Sequence, residues 1–191
     1  MGPASDRVRM TYKELLALPD DGMRHELIDG EHIVTPAPRP RHQIIGGNLY
    51  LLIGTYLRER RLGVLFYAPL DVVFGKYDVV DPDLVYFSNE RAKEAIGELH
   101  ARGAPDLAIE VLSPTTRRRD EVTKRQLYER QGVGEYWIVD PESASVQVFR
   151  LAGGRYERTE LVLSETAVLT SPLFPDLTLP LARIFERPWS S

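Results

Sequence analysis

The chain has 191 residues, 43% of them hydrophobic and 27% charged, a composition that suits one globular domain with a sizeable core. Its net charge of −4 argues against wholesale binding of polyanions, so any such contact must use a local basic patch. It contains no cysteine, which excludes disulfides, thiolate chemistry and cysteine zinc sites.

The opening MGPASDRVRM lacks an apolar signal core, and no apolar run approaches the ~20 residues of a membrane span. The expectation is a cytoplasmic protein, a single domain over residues 1–191 with a loose arm over residues 1–10. TYKELLALPDD reads as a short helix stopped by Pro19, and RHELIDGEHIVTP as a hairpin turned at Asp29-Gly30. PAPRPR is an extended loop. HQIIGGNLYLLIGTYLRERRLG is the first long helix, with Ile45, Leu49, Leu52, Ile53 and Tyr56 at helical spacing and Gly63 as its stop.

VLFYAPLDVVF and VVDPDLVYFS then read as strands on either side of a GKYD turn, and SNERAKEAIG as a short capped helix. DLAIEVLS is apolar on both faces, as a central strand should be. RRRDEVTKRQLYERQG is a helix closed by Gly132, and it leads into EYWIVD, so these two strands should be parallel. SVQVFRL and GRYERTELV form a meander, and LFPDLTLPLARIFERP adds a short strand and a helical turn. The fold class expected is α+β with a central mixed sheet, flanking helices, an N-terminal hairpin and a C-terminal meander.

Strand alternation puts Glu110 on one face with Asp106, Ala108 and Leu112, while Asp81, Asp83, Val85 and Phe87 share a face of their own strand. If the two strands are neighbours, Asp83 and Glu110 converge. Two close carboxylates require protonation of one, a cation between them, or access to solvent. A hard ion such as Mg²⁺ suits oxygen ligands and keeps waters. The plain alternative makes Asp83 a turn cap and Glu110 an ion-paired core acid. Lys124, one of only four lysines among 24 basic residues, lies four before Tyr128 on one helical face. A surface pair with Glu121 is its plain alternative. Arg117, Arg118, Arg119 and Arg125 form a local basic patch, either for nucleic acid or as a solvated helix start.

HELIDGE, PRPRHQIIGGNLYLLI, DPDLVYFS and APDLAIEVLSPTTRRRDEVTKRQLYERQGVGEYWIVDPE, in that order, resemble the Uma-two family of restriction-endonuclease-like proteins in the PD-(D/E)XK nuclease superfamily. The likeness runs from Tyr12 to Phe185 and is most specific between Pro105 and Pro141. It implies a restriction-endonuclease-like core and a metal-dependent endonuclease acting on nucleic acid, DNA first of all. Asp83 and Glu110, with the main-chain carbonyl of Val111, would hold Mg²⁺, with Mn²⁺ able to substitute.

The superfamily's usual lysine sits two residues after the second acid, where this chain has Leu112. The resemblance therefore moves the role to Lys124 on the following helix. Glu26 matches an acid that would extend the site, or is a solvent-facing strand acid. His42 would contact a phosphate or cap the helix, and Tyr128 would pack under Lys124 or touch substrate. Asp106 reads as a turn or cap acid, and His25, His32 and His100 as incidental. Nuclease domains pair to cut both strands, so a homodimer is expected, with LFPDLTLPLARIF as its surface or as core. Two other readings stand beside the nuclease. One is a catalytically silent nuclease-fold module for binding nucleic acid or another partner. The other is an unrelated hydrolase using Glu110 as base, for which no nucleophile motif exists.

Overall fold

The computed structural model describes residues 8–164 and 166–189. Most of the expected loose arm, residues 1–7, lies outside the described residues. Its remainder is tied down: the Met10 N–H donates to the Gly30 carbonyl at 2.9 Å, and the Arg9 guanidinium lies 4.0 Å over the Tyr77 ring.

Helix α1 (Tyr12–Leu15) opens on a capping box in which Thr11 and Glu14 satisfy each other's backbone N–H groups. Asp29 and Gly30, at φ 53° and 78°, make the two-residue turn between β1 (Arg24–Ile28) and β2 (Glu31–Thr35). Positive φ at both central residues matches the twist of the flanking strands. Helix α2 (Pro40–Arg60) starts within the stretch expected to be loop, because proline's fixed φ and missing N–H suit a first helical position. It stops at Arg61, which is left-handed at φ 54°. Gly63 instead opens β3 (Gly63–Tyr67), where a Cβ would stand 2.2 Å from the Phe87 carbonyl oxygen.

Each of the two strands expected after α2 is divided by a proline. Pro69 separates β3 from β4 (Val72–Val73), and Pro82 separates β5 (Val79–Val80) from β6 (Leu84–Ser88). Proline cannot donate to a ladder, and at both breaks the chain changes sheet. Helix α3 (Asn89–Ala95) and the two-residue β7 (Ala101–Arg102), too short to carry a pattern, lead to β8 (Leu107–Val111). The next helix begins as a π-helical segment, Arg119–Lys124, and continues as α4 (Arg125–Gln131), closed by Gly132 at φ 79°. Then come β9 (Glu135–Asp140), β10 (Ser145–Ala152), β11 (Arg155–Val162), β12 (Val168–Leu169), β13 (Leu179–Pro180) and α5 (Leu181–Phe185).

The main sheet has the order β11-β10-β9-β8-β6-β3, with β8 and β9 parallel and the other neighbours antiparallel. The hairpin belongs to a second sheet, β2-β1-β5-β4-β7. The fold is the mixed α+β arrangement expected, with the crossover from β8 through the helix to β9 and the meander β9-β10-β11 in place.

Two cores sandwich the main sheet. On one face Leu107, Ile109, Val111 and Trp137 pack with Ile45, Leu49 and Ile53 of α2. Phe174, Leu179, Leu181 and Ile184 are buried there too, so these apolar side chains of the closing segment belong to the core. On the other face Val85, Phe87, Ala108 and Leu112 meet Leu127 and Tyr128 of α4 and Val72 and Val80 of the second sheet. Alternation along β8 sends Glu110 into this second core. The β6–β8 ladder pairs Val85 with Ala108 and Leu84 with Ile109. One step further along it, position 83 comes opposite position 110.

Candidate active site

A cavity of about 140 Å³ opens at this end of the β6–β8 ladder, walled by the 36–39 loop, the start of α2, the 113–116 loop and the π-helical segment. Asp83, Glu110, Val111, His42 and Lys124 all line it. The sequence scatters these five residues over more than eighty positions, and the fold collects them.

Asp83 is buried and held by three donors. Arg24 Nη1 donates to Oδ1 at 3.0 Å, while His42 Nε2 and the Val111 N–H lie 2.9 Å from Oδ2. Burial alone would push this carboxyl up. The His42 hydrogen bond and charge, then Arg24 and the Val111 N–H, outweigh it and hold Asp83 at about 2. His42 makes no capping hydrogen bond on α2, and its ring nitrogen is committed to the Asp83 carboxylate.

Glu110 is the centre of a second group. Its Oε1 accepts from Lys124 Nζ at 2.7 Å and from the Tyr128 hydroxyl at 3.0 Å. Lys124 Nζ is also 2.7 Å from Glu26 Oε1, which takes the Asp81 N–H at 2.9 Å as well. Glu26 is 2% exposed, so it is not a solvent-facing strand acid. Nor does Lys124 pair with Glu121, which turns instead to Arg117 at 3.4 Å. Burial lowers the Lys124 ammonium, but the charges of Glu110, Glu26 and Asp120 more than reverse this, so it stays protonated. Glu110 is pushed well above the usual carboxylate range by burial and by Asp120, Asp83 and Glu26, against the pull of Lys124. The two directions agree physically, because one ammonium cannot neutralise three buried acids.

The basic patch divides. Arg117 is committed to Asp140 through two hydrogen bonds of 2.8 and 3.0 Å and to Glu142 at 3.1 Å. Arg118 is exposed. Arg119 lines the cavity, donates to Thr35 Oγ1 at 2.9 Å and leaves its Nε without a partner. Arg125 lies on a different face, over the Phe149 ring at 5.7 Å. Asp106 accepts the Ser88 N–H at 2.7 Å and pairs with Arg91 at 2.9 Å, away from the cavity. The His25 and His32 rings stack within the hairpin with centroids 5.1 Å apart.

Sequence reasoning missed Arg24, Asp81 and Asp120. Arg24 lies two residues before Glu26 on one strand, and Asp120 four before Lys124 on one helix, so local periodicity pointed at both. Asp81 shares a face with Asp83 in the sequence pattern, which by itself gives it no role. Its Oδ1 accepts the Leu70 N–H at 2.8 Å, and burial raises its carboxyl to about 6.

Among the described residues, no three His, Asp or Glu side chains converge as a ready cage for a metal ion. The donor set implied by the resemblance is smaller: two carboxylates and one main-chain carbonyl. Asp83, Glu110 and Val111 all line the one cavity, and Glu110 Oε2 accepts no hydrogen bond from a described residue. These are hard oxygen donors with room beside them, which fits a divalent cation that completes its shell with water.

Among solved structures, a crystal structure of a protein described as a "putative nuclease" from Anabaena variabilis matches with a TM-score of 0.78 and 24% identity, over 92% of this chain and 97% of that one. At that identity the likeness speaks for the fold. No curated protein matches the chain. The family model described as "Putative restriction endonuclease" matches residues 12–182, a span that takes in the hairpin, both acidic strands and the lysine-bearing helix, and the chain belongs to that family, Uma2.

Proposed function

We propose that the protein is a metal-dependent endonuclease that hydrolyses phosphodiester bonds of nucleic acid, with DNA as its substrate. The observation that carries this reading is the meeting of Lys124 with Glu110 at 2.7 Å on the wall of a cavity that Asp83 also lines. Leu112, at the superfamily's usual lysine position, is buried in the second core, and in this reading Lys124 would supply the ammonium from the helix instead.

Mg²⁺, or Mn²⁺ in its place, bound by Asp83, Glu110 and the Val111 carbonyl would polarise the phosphodiester and lower the pKa of the attacking water. Lys124, kept protonated by its acidic neighbours, orients that water or stabilises charge developing on the phosphorus oxygens. Tyr128 and Glu26 hold Glu110 and the ammonium in place. Arg24 and Arg119 line the cavity, and each has a buried Nε with no hydrogen-bond partner among the described residues, which suits them to the oxygens of an anionic substrate. A homodimer would let the protein cut both strands.

A second reading is a nuclease-fold protein that binds nucleic acid without cutting it. What favours it is the tightness of the Lys124 clamp, closed on both sides by carboxylates 2.7 Å away. Nicking of supercoiled plasmid with Mg²⁺ or Mn²⁺ decides between the two. Cleavage that disappears in Glu110→Gln supports the nuclease. Wild-type protein inert on DNA and RNA with either metal, yet shifting DNA in a binding assay, supports the second reading.

A further inference from the structure

Asp120 has no part in the set of residues that the family resemblance implies, yet one oxygen of its carboxylate meets no hydrogen-bond donor among the described residues. The residue is 2% exposed, and its buried Oδ1 has no hydrogen-bond partner among the described residues. It lies on the wall of the cavity shared by Asp83 and Glu110. Buried carboxylate oxygens find partners in folded proteins, so an orphan of this kind calls for a reason.

The nearby cations act on this carboxylate by charge and not through a hydrogen bond to Oδ1. Lys124 places its ammonium between Glu26 and Glu110, at 2.7 Å from each. Arg119 Nε stands 3.8 Å from Oδ1, too far for a hydrogen bond, and is itself unpartnered. Asp120 and Lys124 are the buried residues of the π-helical segment, and both face the cavity. A π-turn gives up regular helix geometry to aim side chains, and such turns recur at functional sites.

We propose that Asp120 is a positioning residue of the cation site, its Oδ1 accepting a hydrogen bond from a water carried by the divalent ion at Asp83 and Glu110. This rests on the metal-dependent reading above. Contact through water agrees with the absence, among the described residues, of three acidic side chains close enough to coordinate one ion directly. A carboxylate there fixes the orientation of the bound water and adds negative charge to the field that attracts the cation.

The test is Mn²⁺ binding to the full chain, read from the electron paramagnetic resonance signal of free Mn²⁺, together with melting in EDTA. Asp120→Asn should weaken Mn²⁺ binding by ~10-fold or more, the range seen when a partner of a ligand shell is lost. Glu98→Gln, an exposed loop acid of equal charge, should leave it within about twofold, the scatter allowed to a remote surface change. The melting temperature of Asp120→Asn in EDTA should equal or exceed that of the wild type. Asp120→Ala provides a second variant judged the same way. Wild-type affinity in Asp120→Asn, with or without a lower melting temperature, overturns the inference and leaves the metal-dependent reading standing. Failure of both variants to fold assigns Asp120 a structural role and overturns it too. A wild-type protein that does not bind Mn²⁺ removes the metal-dependent reading and this inference together.

Discussion

Lys124 and Glu110 are fourteen positions apart in the chain and 2.7 Å apart in the core. Taking both charges out of water costs free energy that their attraction barely recovers, so such a pair is poor evidence for stability. With Glu26 added on the far side of the ammonium, the arrangement holds more negative charge than it neutralises. Protonation of one acid, or a bound cation as in the proposed nuclease, relieves such an excess.

Glu110→Gln and Lys124→Ala should both abolish metal-dependent nicking, but they should differ in stability. Gln keeps an acceptor for Tyr128 and Lys124, so melting should change by no more than ~1 kcal/mol, one hydrogen bond's worth. Ala at 124 leaves two buried carboxylates without their cation, a loss of ~3–5 kcal/mol. Urea titration of each variant beside the plasmid assay separates lost chemistry from lost fold.

Tyr128→Phe removes one of the two donors to Glu110 Oε1 and leaves the Lys124 contact. A cost of ~1 kcal/mol in stability is expected from one buried hydrogen bond. Nicking should slow without vanishing. Complete loss of cleavage in this variant would promote Tyr128 from packing partner to substrate contact.

The pH dependence of the metal-free fold has a definite sign. Burial raises the Asp81 carboxyl from 3.8 to about 6, and Glu110 moves the same way. Between those limits the folded state holds a proton that the unfolded state has released, so stability falls as pH rises through the window. Asp83, held at about 2, contributes the reverse: stability present above 3.8 that is lost as pH falls towards 2. In EDTA the protein should therefore melt higher at pH 5 than at pH 7.5, with Asp81 contributing on the order of 1–3 kcal/mol. Asp81→Asn, which keeps an oxygen for the Leu70 N–H, should flatten the difference. A flat wild-type profile would contradict the burial argument.

The arginines should separate by role. Arg118→Ala removes an exposed charge, so DNA binding should weaken, the salt slope should drop by ~1, and melting should not move. Arg117→Ala breaks the paired hydrogen bonds to Asp140, costing ~1 kcal/mol after allowance for partial exposure. Its salt slope should stay near that of the wild type. Fluorescence anisotropy at several salt concentrations reads both.

Much of the fold was legible because its signals are local. Asp29-Gly30 announces a hairpin turn, period-two alternation assigns the faces of DLAIEVLS and DPDLVYFS, and Gly132 closes the helix between parallel strands. Pro69 and Pro82 carried a signal that unbroken apolar runs hid, since a ladder cannot pass through proline. Arg24 and Asp120 likewise sat at the right spacing from Glu26 and Lys124, but spacing does not say which face of a strand or helix will be buried.

By itself the sequence determined which side chains share a face and that two acidic strands and a lysine-bearing helix recur in a family order. Only the tertiary structure decided which charge answers which: Arg24 and His42 for Asp83, Lys124 shared by Glu26 and Glu110, and Asp120 left with an oxygen unanswered. Strand and helix periodicity act over a few residues. Pairing of buried charges depends on how separate sheets and helices stack, and in a low-dielectric core a few ångströms set the outcome.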